Sequence, residues 1–320
     1  MAADLLARFN RQDIVYKTVN DIPLSAAILT PKSLPPSTTD QKKYPVIVHF
    51  HGGALIVGTN PDPAFTSQWL LTLALTTPAI LISPQYRLLP EATGTDLMDD
   101  ISDFWTWFRS PALPARLSPT QVLAAGESAG GYLSIQSALL FNPAAGIRAV
   151  AATYPAQYPD VAAYNVRHSG VVVGGEDDAV VDAYLGAVRR GEKKVRVSTP
   201  WGTYAEGEGL IQAMGPTGRH REMMGGDGRL TLGGGLEVAR GRGGEGAAVW
   251  IVQGREDDLV VKEGADEVVE RIREAVPGMP VKYTVEEGGH VFDLAVGLDE
   301  PWVEEGVEFV RKYWLGNDGK

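Results

Sequence analysis

Short apolar runs spaced along the chain constrain its fold more than any other feature of the sequence. Buried parallel strands read as continuous apolar runs, because helices cover both faces of their sheet. Four such runs occupy residues 46–50, 79–83, 122–125 and 249–252, and residues 281–285 are predicted to form a further strand. Stretches with apolar side chains at helical spacing alternate with them, at residues 65–75, 96–108, 132–141 and 303–314. The alternation predicts an α/β fold, with a mostly parallel central sheet flanked by helices.

Two further segments depart from this alternation. Residues 14–19 and 24–29, separated by Asn20 and Asp21, predict an antiparallel hairpin at the sheet edge. Residues 161–245 hold 19 of the 37 glycines and lack the strand–helix rhythm. We interpret residues 157–245 as a cap inserted into a single domain of residues 1–320, with residues 1–13 contributing to that cap. Because glycine brings no side chain to packing, we expect residues 161–245 to bury little apolar surface.

Composition excludes several classes of function. A formal net charge of -11 argues against a nucleic-acid partner, since the chain offers no basic surface to neutralise phosphates. The absence of cysteine excludes disulfides, a thiolate nucleophile and cysteine-ligated metals. No stretch approaches the ~18 apolar residues of a membrane span, and the first residues lack a signal-peptide pattern, so we expect a soluble cytoplasmic protein.

The segment Gly126-Glu127-Ser128-Ala129-Gly130 matches the G-x-S-x-G pattern in a suitable context. It follows an apolar run and opens a helix-compatible stretch, as a sharp strand-to-helix turn requires. Such a turn presents the serine hydroxyl above the sheet, and the helix N-terminus favours developing negative charge there. Ser128 is therefore the candidate nucleophile.

A second motif, His51-Gly52-Gly53-Ala54, directly follows the run at 46–50. Backbone N–H groups in such a loop can converge on a carbonyl oxygen as it becomes an oxyanion. Together with Tyr86-Arg87-Leu88-Leu89-Pro90-Glu91 and the serine motif, in this order, it resembles the hormone-sensitive-lipase-like branch of the α/β hydrolases. The resemblance implies oxyanion donors at Gly53, Ala54 and Ala129, with Gly52 shaping the turn. Ala54 departs from the usual third glycine but keeps an N–H.

In this fold the acid and then the histidine follow the serine along the chain. Asp257, at the exit of the run at 249–252, fits the D-x-L turn of the family, with Asp258 and Glu256 as alternatives. His290, after Gly288 and Gly289, matches the histidine loop of the family.

The other four histidines are assigned no catalytic role. His49 is interpreted as a core residue, His51 as a brace of the oxyanion loop, and His168 and His220 as surface residues of the cap.

These residues predict a serine hydrolase that cleaves a small-molecule ester or lactone through an acyl-enzyme, without cofactor or metal. Two alternatives stay open: the same site could serve acyl transfer or a lyase or cyclase step, or the protein could bind a ligand without catalysis. Oligomeric state is not addressed by any motif. Some apolar side chains of the cap are expected to line the pocket, and the candidates are Trp201, Tyr204, Met214, Met223 and Met224.

Overall fold

The computed structural model describes residues 2–36, 42–156, 158–165, 175–243 and 246–316. Within these ranges eight strands form one sheet. In chain order, β1 to β8 are Phe9–Val19, Ile22–Pro31, Tyr44–Phe50, Ile80–Pro84, Leu117–Glu127, Ile147–Thr153, Ala248–Gly254 and Val281–Glu286. The α-helices of the described residues, α1 to α10, are Ala2–Leu6, Gln68–Thr76, Gly94–Phe108, Ala129–Phe141, Gly175–Arg189, Ala205–Thr217, Arg221–Met224, Leu232–Gly241, Lys262–Ala275 and Pro301–Trp314.

The strand order in the sheet is β1-β2-β4-β3-β5-β6-β7-β8. β1 pairs with β2, and β2 with β4, in antiparallel fashion, whereas all later neighbours are parallel. The predicted edge hairpin and the five predicted core strands are therefore confirmed. β6 was not among the predicted strands, because its sequence IRAVAAT is rich in alanine, a residue that strands disfavour.

Alternate side chains of the parallel strands enter two apolar clusters, one on each face of the sheet. In β3, Ile47 faces the cluster under α1, α2 and α10, whereas Val46 and Val48 face the cluster under α3, α4 and α9. The strands are thus buried on both faces, which explains why they read as continuous apolar runs.

The helices α5 to α8 lie between β6 and β7 in the chain and bury many apolar side chains in the second cluster. Leu210, Met214, Met223 and Leu236 are among them. The expectation of little apolar burial is therefore wrong for the described part of this segment. Some of its glycines permit close packing: at Gly235 a Cβ atom would lie 2.9 Å from the side chain of Gln136 on α4.

The N-terminal residues lie elsewhere in the molecule. Residues 2–13, expected to contribute to the cap, form α1 and the first part of β1, and Leu5 and Leu6 pack against the cluster under α2. None of the described helices is both long and apolar enough to cross a membrane.

Candidate active site

Ser128 occupies a strained turn between β5 and α4. Its backbone has φ 54° and ψ -118°, a conformation that residues other than glycine rarely adopt. Its N–H donates to Thr153 O at 3.0 Å, which ties the turn to the end of β6. A Cβ atom at Gly130 would lie 1.9 Å from Phe50 O, so only glycine lets β3 pass this close to α4. The last glycine of the G-x-S-x-G pattern is thus required because a side chain there would clash with the backbone of β3.

The loop after β3 turns back sharply, with φ 99° at Gly53 and 55° at Ala54. The carbonyl oxygen of Gly53 accepts from the N–H groups of Ile56 and Val57, which holds the loop in this turn. Ala129 is the first residue of α4, and the N–H of a first helical residue has no partner within its own helix. Ala54 and Ala129 line the same cavity as Ser128.

His51 braces this loop from within the core, as expected. Its Nδ1 lies 2.7 Å from Gly52 O, and its ring stacks on that of Tyr86 at a centroid distance of 4.5 Å. The hydroxyl of Tyr86 donates to His51 O at 2.9 Å. Burial lowers the pKa of His51 to about 4, so the imidazole is neutral at physiological pH.

Asp257 and His290 meet after β7 and β8, the last two strands of the sheet. His290 Nδ1 lies 2.8 Å from Asp257 Oδ2, and the Asp257 side chain is fully buried. The other oxygen, Oδ1, accepts from the N–H groups of Leu259 at 3.0 Å and Val260 at 2.8 Å. These bonds fix the carboxylate in the orientation that reaches the imidazole.

The two alternative acids lie differently. The side chains of Asp258 and Glu256 are exposed, and Glu256 accepts from the backbone N–H of Gly288 in the histidine loop. That bond holds the pKa of Glu256 below its ordinary value. Of the three candidate acids, Asp257 is the one in contact with His290.

Tyr154 links the serine turn to the histidine loop. Its ring centroid lies 4.7 Å from that of His290, and it directly follows Thr153, whose carbonyl oxygen accepts from Ser128 N. Among the described residues no hydrogen bond joins the Ser128 hydroxyl to His290. Catalytic hydrogen bonds are often long before substrate binds and tighten only in the complex.

The cavity beside Ser128 is mostly apolar. The core contributes Leu55, Tyr132 and Ala156, and the Asp257 turn contributes Leu259 and Val260. The cap side of its lining consists of Ala163, Ile211, Gly215, His220, Met223 and Met224.

Two sequence-based interpretations of the cap can therefore be compared with the structure. Met223 and Met224 line the cavity, as proposed for some of the cap candidates, while Trp201 is exposed and packs edge-on against Phe65.

The interpretation of His220 as a surface residue is wrong, because it is half-buried in the cavity wall. His168 lies outside the described residues. No pattern in the sequence marks His220, since its place beside Ser128 depends on how the segment between β6 and β7 packs.

Buried polar residues near the site also escaped the sequence analysis. Glu127, Ser67 and Asp293 are joined by hydrogen bonds beneath the serine turn and the histidine loop. Glu127 occupies the variable position before Ser128, and Asp293 follows His290 by three residues, so proximity in sequence was the available signal. The described residues include no group of three metal-ligating side chains that could hold an ion.

Known proteins resemble this chain in sequence. A family model for the alpha/beta hydrolase fold matches residues 47–214, more than half of the chain. The probable carboxylesterase M8 of Phoma sp. is 29% identical over 328 residues, an alignment that covers 96% of this chain and 97% of that protein. The probable carboxylesterase clz11 of Cochliobolus lunatus is 41% identical over 91 residues, which cover 26% of this chain and 41% of that protein.

Solved structures resemble its fold. A Staphylococcus aureus protein of unknown function superposes with a TM-score of 0.66 at 19% identity, covering 95% of this chain and 99% of that one. The native esterase Est2 of Thermogutta terrifontis gives a TM-score of 0.58 at 18% identity, covering 97% and 95%. With the order of its motifs and the match of the family model, this chain belongs to the α/β-hydrolase fold family, in its hormone-sensitive-lipase-like branch.

Proposed function

We propose that the protein is a carboxylic-ester hydrolase that cleaves a small-molecule ester or lactone through a Ser-His-Asp triad. The observation that carries the proposal is the 2.8 Å contact between Asp257 and His290, in loops that adjoin the strained turn of Ser128. The similarity to the probable carboxylesterase M8 over nearly the whole of both chains supports the same reaction.

In this proposal Ser128 attacks the ester carbonyl while His290 takes the hydroxyl proton. A serine hydroxyl is a weak nucleophile at neutral pH, so the base must remove the proton during attack. Because Nδ1 of His290 is engaged by Asp257, the base is Nε2, and Asp257 holds the required tautomer and stabilises the imidazolium that forms. His290 then protonates the leaving alcohol, and water repeats the cycle on the acyl-enzyme.

The N–H groups of Gly53, Ala54 and Ala129 bind the oxyanion of the tetrahedral intermediate in this proposal. Positive φ at Gly53 and Ala54 supports it, because the turn aims consecutive N–H groups to one side of the loop. Losing one oxyanion donor typically lowers kcat by roughly 10²–10³. Because these donors are backbone N–H groups, none of the three positions needs a polar side chain.

Residues 157–245 act in this proposal as the cap that closes the substrate cavity. Ile211, Met223 and Met224 supply apolar walls opposite Ser128, and His220 adds an imidazole to the same wall. An apolar cavity of this kind favours an uncharged ester with an apolar acyl or alcohol group.

Replacing the nucleophile tests the proposal directly. Ser128→Ala is expected to abolish hydrolysis of a short-chain nitrophenyl ester and covalent labelling by a fluorophosphonate, because the attacking oxygen is lost. Ser33→Ala, at an exposed serine after β2, is the matched control and should keep both activities. Persistent labelling of Ser128→Ala at the wild-type rate would refute the assignment.

A further inference from the structure

A buried chain of hydrogen bonds connects the serine turn to the histidine loop. Ser67, at the start of α2, lies between two acidic side chains: its Oγ is 3.1 Å from Glu127 Oε1 and 2.7 Å from Asp293 Oδ2. Glu127 directly precedes Ser128, and Asp293 follows His290 by three residues. All three side chains are almost completely buried, so water does not separate the two carboxyl groups.

The hydrogens in this chain can be counted. A serine hydroxyl carries one hydrogen, so Ser67 can donate to only one of the two carboxyl groups. The second oxygen–oxygen contact then needs a proton that a carboxylic acid donates to Ser67 Oγ. Two buried carboxylates sharing one site also repel each other, which keeps one of them protonated. The pair Glu127 and Asp293 therefore carries one proton between them.

The neighbours of each carboxyl group indicate which one holds that proton. Glu127 accepts from Ser67 N at 3.1 Å and faces His49 Nε2 at 2.7 Å. His49 Nδ1 is buried with no hydrogen-bond partner, so a hydrogen on Nδ1 would lack an acceptor, whereas a hydrogen on Nε2 is donated to Glu127 Oε2.

Asp293 has a different environment. Its carboxyl group is fully buried, and its shortest contacts join it to Tyr154 OH at 2.6 Å, Ser67 Oγ at 2.7 Å and Trp69 Nε1 at 2.7 Å. Burial, and next the charge of Glu127, raise the pKa of Asp293 above its ordinary value. The 2.7 Å contact with Ser67 is an ordinary length for a hydrogen bond between two oxygens, so it accommodates an acid O–H that donates to Ser67 Oγ.

Tyr154 connects Asp293 to His290. Its hydroxyl is held by Asp293, its backbone N–H donates to Val252 O at 2.6 Å, and its ring packs on the imidazole at 4.7 Å between centroids. The N–H of Gln68 donates to Leu294 O at 3.1 Å, which ties the same loop to α2. The imidazole is thus in contact with Asp257 through Nδ1 and with the tilted ring of Tyr154.

We propose that Asp293 is a positioning residue that acts as a neutral carboxylic acid, holding Tyr154 and the histidine loop in the geometry that aims His290 at Ser128. The proposal rests on the proposed function of His290 as the base. Asp293 itself does not touch the substrate. An ionised Asp293 would repel Glu127 across Ser67 and loosen the contact between the serine turn and the histidine loop.

Two substitutions at position 293 test whether the side chain acts through its hydrogen bonds rather than through a charge. Asp293→Asn keeps the size of the side chain and a hydrogen-bonding group without a charge, so we expect kcat for a nitrophenyl butyrate to fall less than tenfold. Asp293→Ala removes the hold on Tyr154, so we expect kcat to fall more than 100-fold while KM changes less than threefold. If Asp293→Ala fails to fold, the kcat values of Asp293→Asn and Tyr154→Phe test the proposal instead. We expect Tyr154→Phe to lower kcat by at least tenfold.

The proton can be observed by infrared spectroscopy of the wild-type chain at neutral pH. We expect the carbonyl band of a protonated carboxylic acid, which disappears in Asp293→Asn. Absence of the band in the wild type, its persistence in Asp293→Asn, or an Asp293→Asn variant as inactive as Asp293→Ala would each overturn the proposal.

Fluorophosphonate labelling distinguishes a failure of the proposed function from a failure of the proposed role of Asp293. If Ser128→Ala is labelled like the wild type, the proposed function fails. If labelling depends on Ser128 but Asp293→Ala keeps the wild-type kcat, only the role of Asp293 is refuted.

Discussion

At the scale of single residues, the carboxylate of Asp257 makes further hydrogen bonds besides its contact with His290. It accepts from two backbone N–H groups of its own turn, and Gln253 Nε2 lies 3.3 Å from Oδ2. Asp258, one residue later, points to solvent. These bonds fix the orientation of the carboxylate, so that Oδ2 faces His290.

Asparagine substitutions at these two neighbours test the assignment of the acid. Asp257→Asn should lower kcat by up to ~10⁴, because an amide stabilises the wrong tautomer of His290. Asp258→Asn, the matched control, should stay within about threefold, since an exposed charge beyond direct contact with the imidazole is screened by water. Steady-state kinetics on one nitrophenyl ester measures both, and the opposite ranking would move the acid by one position.

At the scale of secondary-structure elements, the cap is attached to the loops after β3 and β4. Gly58 and Thr199 exchange both backbone hydrogen bonds, and Leu88 N donates to Arg196 O at 2.8 Å. The buried carboxylate of Glu91 pairs with the Arg196 guanidinium and accepts from Tyr184 OH of α5 at 2.7 Å. The last residue of the Tyr86–Glu91 motif thus anchors the segment between β6 and β7 to the loop after β4.

Loss of this anchor should loosen α5 and α6 locally. Glu91→Ala leaves Arg196 and Tyr184 without their buried acceptor, so we expect amide hydrogen exchange in α5 and α6 to accelerate at least tenfold. Exchange in α9, which packs on the sheet, should not change. Glu206→Ala, which removes an exposed partner of Lys193 in the same segment, is the control and should have little effect. Equal exchange in both variants would mean that Glu91 does not hold the cap.

At the scale of the whole molecule, the cavity is lined both by residues that follow the central strands and by residues of the segment between β6 and β7. Ligands of open α/β sheets bind at the carboxyl ends of the strands. The sheet side presents Ser128 and Ala129, whereas the cap presents Ile211 and Met223 across the cavity. Cap side chains therefore set the space that remains for the substrate.

Shortening a cap side chain should change the preferred substrate length. Ile211→Ala removes three carbons from the cavity wall, and each buried methylene of a ligand contributes about 0.8 kcal/mol. We therefore expect the ratio of kcat/KM for an octanoate ester over a butyrate ester to rise by roughly tenfold. Gln212→Ala, at the exposed neighbour on α6, is the matched control. An unchanged ratio in Ile211→Ala would show that the acyl chain lies elsewhere.

Local sequence determined most of the fold and the identity of the candidate residues. Apolar runs specify buried parallel strands because both faces of such strands must exclude water, and Gly126 to Gly130 specify one sharp turn because backbone atoms crowd it. Each of these signals lies within a few consecutive residues. The alanine-rich β6 and the helices of the cap carry weaker local signals, so they became evident only from packing.

Tertiary structure decided which of these residues meet. The selection of Asp257 as the acid in contact with His290 depends on how two loops, separated by 33 positions, approach each other after β7 and β8. Ser67 and Asp293 lie 226 positions apart, and their hydrogen bond exists only because α2 packs beside the histidine loop. The wall position of His220 likewise depends on the course of the cap. Contacts between distant segments follow from the packing of whole elements, and no local pattern of residue types encodes that packing.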